Sequence, residues 1–381
     1  MPMLSLPPLA LYVHIPWCVR KCPYCDFNSH NRPENLPQDE YIAALLADLD
    51  QDLPLVWGRP VVSVFMGGGT PSLFAPEQIA RLLTGIRAML PLQPGCEITL
   101  EANPGTFERE RFAAFAAAGV TRLSVGVQSF DDDLLRALGR VHDGAQARAA
   151  LEEAARVFGS FNLDLMYALP GQTLAMLQAD LREALSFAPP HLSIYQLTIE
   201  PNTVFAKYPP RLPADDVAWA MLDAITATTA EAGLQRYEVS AYARAGHACR
   251  HNLNYWRFGD YLGLGAGAHG KLSFAHRIVR QQRYRLPESY MRHALAGDAV
   301  SEQHEVDTAD LPFEYMLSAL RLREGFGLSD FAARTGLPAQ VVEAQIYEAS
   351  RNGWLQRDGN WVRPTARGFD FLNDVQALFL P

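Results

Sequence analysis

Three cysteines carry the strongest chemical signal in the chain. Cys18, Cys22 and Cys25 form a C-x3-C-x2-C array in the segment LYVHIPWCVRKCPYCDF. Thiolates are soft ligands that select zinc, copper or iron-sulfur centres. A [4Fe-4S] cluster ordinarily takes four cysteines, so three leave one iron open to chelation by an outside molecule. A structural zinc site is the other reading; it would take a fourth ligand from His14 or His30. The spacing is unlike two separated zinc pairs. Cys96 and Cys249 read as ordinary buried thiols, although Cys249 stands close to His251. Five cysteines, three of them within eight residues, do not make a disulfide ladder, and thiolate ligands suit a reducing cytoplasm.

The array directly follows an apolar, β-branched run at 10–15, the first of six; the others are 61–66, 97–100, 123–127, 163–166 and 192–199. Between them lie segments of helical period, such as Ile79, Leu82, Leu83, Ile86 and Leu90, bounded by Pro and Gly. Repeated βα units with right-handed crossovers predict a parallel sheet. The unusual polar residues fall at or beyond the C-terminal ends of the strands, where barrel enzymes build their sites. A partial (β/α)6 barrel over residues 1–235 is therefore expected.

A helix over 215–233 leads into a Gly-rich, aromatic region, 237–273, read as a lid or ligand-facing α+β extension within residues 236–300. Residues 301–381 carry three helical stretches, a hairpin turn at Asp358-Gly359 and a closing helix capped by Thr365. That order predicts a winged-helix-like module. From Ser301 onward seven Arg and no Lys face twelve Asp and Glu, a net of -5, which favours a protein-contacting or lid role over DNA binding.

Bulk composition agrees. With 49% hydrophobic and 20% charged residues over 381 positions the chain can build a full-sized core, and its net charge of -9 argues against neutralising a nucleic-acid backbone. No run approaches the roughly 20 apolar residues of a membrane span, and the opening segment lacks the basic n-region of an export signal.

With these residues in view, the chain resembles the radical S-adenosylmethionine (SAM) superfamily, and within it the oxygen-independent coproporphyrinogen III dehydrogenases and their relatives. The YxHIPxC opening is Tyr12, His14, Ile15, Pro16 and Cys18; the GGGTP loop is Gly67, Gly68, Gly69, Thr70 and Pro71. The resemblance implies a [4Fe-4S] cluster on the three cysteines. It implies SAM contacts from Tyr12, Gly68, Gly69, Thr70, Glu101, Gln128, Arg140, Asp164 and Thr198. A carboxylate suits the cofactor's ammonium or ribose hydroxyls, and Arg140 suits its carboxylate. Taken singly, each could equally be a loop cap or surface ion pair.

The dehydrogenases carry a fourth cysteine two residues after the third; here that position is Phe27. This departure is characteristic of the branch described as haem chaperones. His251, Asn252, Tyr255 and Trp256 spell HNxxYW, a motif linked in that branch to haem binding. His is a standard axial haem ligand, and Tyr and Trp could wall a porphyrin. The bland reading is that this stretch only packs the extension onto the barrel, and the iron ligand stays open among His251, Cys249 and neither. Gly263, Gly265, Gly267 and Gly270 do not open a βαβ unit, so a dinucleotide site is rejected.

The expected function is therefore a cytoplasmic radical SAM haem chaperone. Its cofactors are the cluster, SAM and haem; its partners are acceptor haemoproteins, respiratory enzymes at the inner membrane among them, with a homodimer conceivable. The rivals are a coproporphyrinogen III dehydrogenase, against which Phe27 stands, and a noncatalytic adaptor working through its acidic C-terminal module.

Overall fold

Side chains alternate across a strand, so a strand between helices and a cavity must be apolar on one face only. Six segments meet this condition: β1 (Leu9–Ile15), β2 (Val61–Gly68), β3 (Leu92–Ala102), β4 (Arg122–Gln128), β5 (Phe161–Tyr167) and β6 (His191–Gln196). They appear in a computed structural model that describes residues 6–105 and 109–381; residues 1–5, part of the opening read for an export signal, lie outside it. The six strands pair in chain order and all in parallel. Helices Gln38–Asp52, Pro76–Met89, Phe112–Ala118, Gly144–Val157 and Leu174–Ser186 connect them. Of the predicted apolar stripe, Ile79, Leu82, Leu83 and Ile86 form the buried face of the second of these helices, and Leu90 lies just past its end in extended backbone. Strand and helix residues merge into one large apolar cluster.

The partial barrel does not close. Asp260–Leu264 pairs in parallel with the free side of β1, and His269–Phe274, Arg277–Arg283 and Val300–Glu305 follow antiparallel. Beyond β6 lie Ala241–Ala243 and Gln235–Arg236. The result is one open twelve-stranded sheet. The region read as a lid thus contributes main-sheet strands. Its glycines serve backbone packing: a Cβ on Gly263 would stand 1.9 Å from the His269 carbonyl oxygen.

The C-terminal module has helices Leu311–Ala319, Leu328–Thr335 and Glu343–Arg351 and a three-stranded sheet of Phe326–Gly327, Trp361–Pro364 and Leu355–Asp358. The hairpin turns at Gly359, as its sequence predicts, with φ at 57°. A single 3-10 turn, Ala339–Val342, follows Pro338 and leads into the third helix at Glu343. The module has its own core, around Phe331, Ile346 and Val362, and Phe258 and Ile278 of the extension are embedded in it. Among the described residues no helix is long and apolar enough to cross a membrane.

Asp260 pins the strand added beside β1. Its buried carboxylate accepts from Arg59 at 2.8 Å, Lys271 at 3.2 Å, and the amide and hydroxyl of Ser273 at 2.9 and 2.8 Å. Asp260→Ala would leave the buried Lys271 and the part-buried Arg59 without their carboxylate and should cost about 3–5 kcal/mol, measured as a lowered urea midpoint at unchanged slope. A loss below about 1 kcal/mol would show that solvent compensates both cations.

Candidate functional site

Barrel interiors are usually filled by layers of branched apolar residues. Here the inward positions are small or polar. Along β4, Arg122, Ser124, Gly126 and Gln128 face inward while Leu123, Val125 and Val127 are buried outward. Asn162, Asp164 and Met166 of β5 and Ser193 and Tyr195 of β6 continue the inner face. The sheet therefore curves around a cavity of about 620 Å³, with room for a ligand in place of a core.

The three cysteines line this cavity at the C-terminal ends of the strands. Their loop is held by backbone bonds. Gly69 N–H donates to Ile15 O and Thr70 N–H to Trp17 O, both at 2.8 Å, and His30 N–H donates to Pro16 O at 2.7 Å. The glycine loop and the cysteine loop are thus docked on each other. A Cβ on Gly69 would lie 2.6 Å from Trp17 O and 2.8 Å from Ile15 O, and Gly68, at φ 108°, has the His14 ring where a Cβ would go. These glycines are required first by the protein's own close contact.

The thiols of Cys18 and Cys25 are pushed up by burial, and hydrogen bonds from Thr70 to Cys18 and from backbone and Ser29 to Cys25 oppose the shift. Among the described residues no three His, Cys, Asp or Glu side chains form a ready-made metal-ion site, so the thiols are related by facing one cavity. Neither His14 nor His30, the candidate fourth zinc ligands, lines it. His14 is engaged at both nitrogens: Nε2 lies 2.8 Å from the Asn28 carbonyl oxygen and Nδ1 3.0 Å from the Tyr12 hydroxyl. A carbonyl only accepts, so Nε2 bears the proton and Tyr12 donates to Nδ1. Burial pushes His14 down to about 4, which keeps it neutral. Three thiols on a polar wall fit a cluster with one open iron, and the donors around them fit an amino-acid chelator.

Glu101, Gln128, Arg140, Asp164 and Thr198 also line the cavity, as do Gly68, Gly69 and Thr70. Tyr12 stands behind them through His14. Glu101 accepts from Gly68 N–H at 3.1 Å; burial, with Asp164 nearby, pushes its carboxyl up to about 8. Asp164 is raised by burial and held by Asn162 at 2.7 Å. Arg140 donates to Asn103 Oδ1 and Gly126 O, each at 2.7 Å, and its Nη1 is 3.7 Å from Cys22 Sγ. Gln128 adopts φ 71°, a strained conformation at a bulge in β4 that turns it to the cavity. Thr198 is exposed, bonded to Glu200 at 2.7 Å.

The HNxxYW residues sit on the helix Arg250–Trp256 and divide. Asn252 lines the cavity. The His251 ring packs on Phe65 with its Nδ1 3.2 Å from Ser63 Oγ, and burial and Arg122 push it down to about 4. Trp256 instead lies under the Arg321 guanidinium, 4.2 Å away, and Tyr255 is part-exposed beside it. The four side chains do not share one wall. Cys249 is buried, its thiol 3.5 Å from Glu97 and pushed up to about 11 by burial.

Sequence reasoning missed Asn103, which bridges Arg140 to Thr70 (Nδ2 to Oγ1, 2.9 Å), although it stands in the same EANPG motif as Glu101. It also missed Arg122, whose signal was polar alternation inside an apolar strand.

The chain is similar to known proteins along its length. The Radical SAM superfamily matches residues 12–184, and the HemN C-terminal domain matches residues 306–371. The chain is 48% identical to "Heme chaperone HemW" of Escherichia coli over 99% of its own length and 100% of that protein. It is 33% identical to the protein of that name in Bacillus subtilis, covering 97% and 98%. The solved structure of coproporphyrinogen III oxidase (HemN) from Escherichia coli, described as a radical SAM enzyme, superposes with a TM-score of 0.83 at 24% identity, over 98% of this chain and 90% of that one.

Two outcomes are expected. Gly69→Ala forces the Ile15–Trp17 backbone aside and should leave far-UV circular dichroism unchanged while lowering iron retained after anaerobic reconstitution by at least half, on the order of 1 kcal/mol of misplacement; full iron content would separate the glycine contact from cluster retention. Glu101 holds its proton more tightly folded than unfolded, so that stabilisation is complete below pH 4.5 and is lost as pH rises through about 8. The stability difference between wild type and Glu101→Gln, followed by denaturant titration of the cluster-free protein, should move against wild type across that window. A flat difference would place the Glu101 proton elsewhere.

Proposed function

The chain belongs to the family of the heme chaperone HemW, within the radical SAM superfamily, and from that premise we propose that it binds haem and transfers it to acceptor haemoproteins. Membrane-bound respiratory enzymes are the acceptors in this reading, met by a cytoplasmic protein that docks at the inner membrane through its partners, as monomer or homodimer.

Cys18, Cys22 and Cys25 would hold the [4Fe-4S] cluster. When bound, the cluster and SAM would supply one-electron chemistry. The chain's own residues do the positioning. Arg140 offers a guanidinium for the cofactor's carboxylate. Glu101 and Asp164, raised by burial, offer hydrogen bonds to ammonium or hydroxyl groups, and the polar inner face keeps apolar side chains out of the reaction space. Asn252, on the cavity wall, and His251, on the same helix, would serve the haem; Nδ1 of His251 is engaged by Ser63, so Nε2 is the ring nitrogen that would be offered to the iron.

The observation that carries the choice of chaperone over dehydrogenase is Phe27. It lies on the cavity wall beside the three thiols, 59% exposed, where the dehydrogenases place a fourth cysteine. An exposed phenyl at the mouth of a polar cavity suits contact with a flat apolar macrocycle and offers no thiol.

Anaerobic reconstitution followed by haem titration and a coproporphyrinogen III assay on the same sample tests the proposal. Stoichiometric Soret absorbance, weakened or shifted by His251→Ala, and no protoporphyrinogen IX are expected. Product formation would restore the dehydrogenase; absence of any Soret change in both cluster-loaded and cluster-free protein would end the chaperone reading.

A further inference from the structure

At the floor of the cavity, some 20 Å along β4 from Gln128 by strand rise, stands Arg122. It is 2% exposed and lines the cavity. A guanidinium cannot shed its charge by deprotonating, and a buried charge without a partner is costly. The other buried cations of this protein obey that rule: Lys271 pairs with Asp260, Arg283 with Asp48 and Asp52, and the less buried Arg59 and Arg321 with Asp260 and Glu238. The Arg122 side chain has no hydrogen bond or ion pair to any described residue, and its Nε is buried without a partner.

The surrounding groups are already committed to one another. Glu97 Oε1 accepts from the Arg250 and His251 amides at 2.9 and 3.4 Å and faces the Cys249 thiol, so it caps the Arg250–Trp256 helix and acts on Arg122 only from beyond contact. Asn162 binds Ser124 at 2.8 Å, Asp164 at 2.7 Å, Ser193 at 3.0 Å and His191 at 2.6 Å. Thr99, opposite Arg122 in the β3–β4 register, also has a buried hydroxyl without a partner. A closed network thus encircles one unspent cation.

We infer that Arg122 receives a carboxylate of a molecule bound in the cavity, at a subsite separate from Arg140 at the cluster end. A guanidinium and a carboxylate match in charge and in fork geometry. Two sources carry this group: a porphyrin propionate, which rests on the haem reading above, and the amino-acid end of a SAM molecule bound in addition to the one whose carboxylate Arg140 takes, which does not.

The test measures dissociation constants on full-length, cluster-reconstituted protein for haem against haem dimethyl ester, and for SAM against decarboxylated SAM, in wild type, Arg122→Gln and Arg122→Lys. Losing a charge-assisted carboxylate bond should weaken the acid form roughly tenfold or more in Arg122→Gln. The ester or decarboxylated partner should change little, and Arg122→Lys should recover part of the loss. A selective loss for haem assigns the propionate; a selective loss for SAM assigns the amino-acid end. Wild type that binds no haem would end the chaperone reading and leave the SAM pair to decide Arg122. Acid and neutral forms weakened equally, or neither weakened, would overturn the inference and leave Arg122 solvated by water alone. Should Arg122→Gln fail to hold a cluster, Arg122→Lys carries the comparison, with a reduced acid preference expected and an unchanged one overturning it.

Discussion

Everything in this protein depends on the two-residue alternation of its inner strands. RLSVGVQ places Leu123, Val125 and Val127 against the helices and Arg122, Ser124, Gly126 and Gln128 against the cavity. A shift of one residue would turn every apolar side chain into the ligand space and every polar one into the core. The hollow interior and the solid exterior are one sequence property seen from two sides.

The cysteine loop depends on that frame in turn. It contributes little core of its own and takes its shape from borrowed contacts: the glycine loop beneath it, Tyr41 donating to the His14 carbonyl at 2.8 Å, and Asn28 donating to the carbonyls of Ala266 and Arg285, each at 2.8 Å. The strand Asp260–Leu264 and its successors thereby brace the loop from the side opposite the cavity. The buried Asp48, Asp52, Arg283 and Tyr290 group ties the first helix to the same brace.

Much of this was legible in the residues. Six strands in order, the cysteine array, the glycine loop and the helices and hairpin of the C-terminal module follow from period, caps and spacing. The role of 237–273 did not, because a glycine that permits close backbone approach in a sheet leaves the same mark as one that loosens a loop; the His269 carbonyl beside Gly263 and the His14 carbonyl beside Gly265 distinguish them. The division of HNxxYW was equally hidden. A seven-residue helix turns through nearly two revolutions, and adjacency in sequence says nothing about which face meets the barrel and which meets Arg321. Arg122 stood in plain view but lacked a motif to mark it; its isolation is a property of its neighbours' bonding, invisible until all of them are placed.

Phe258 and Ile278 belong by chain position to the sheet extension and by packing to the C-terminal module. The two regions therefore interlock like pieces that share a peg, and the module is no bead on a flexible string. Because Arg321 of that module also covers Trp256, whatever moves the module would meet the short helix at the barrel floor by direct contact.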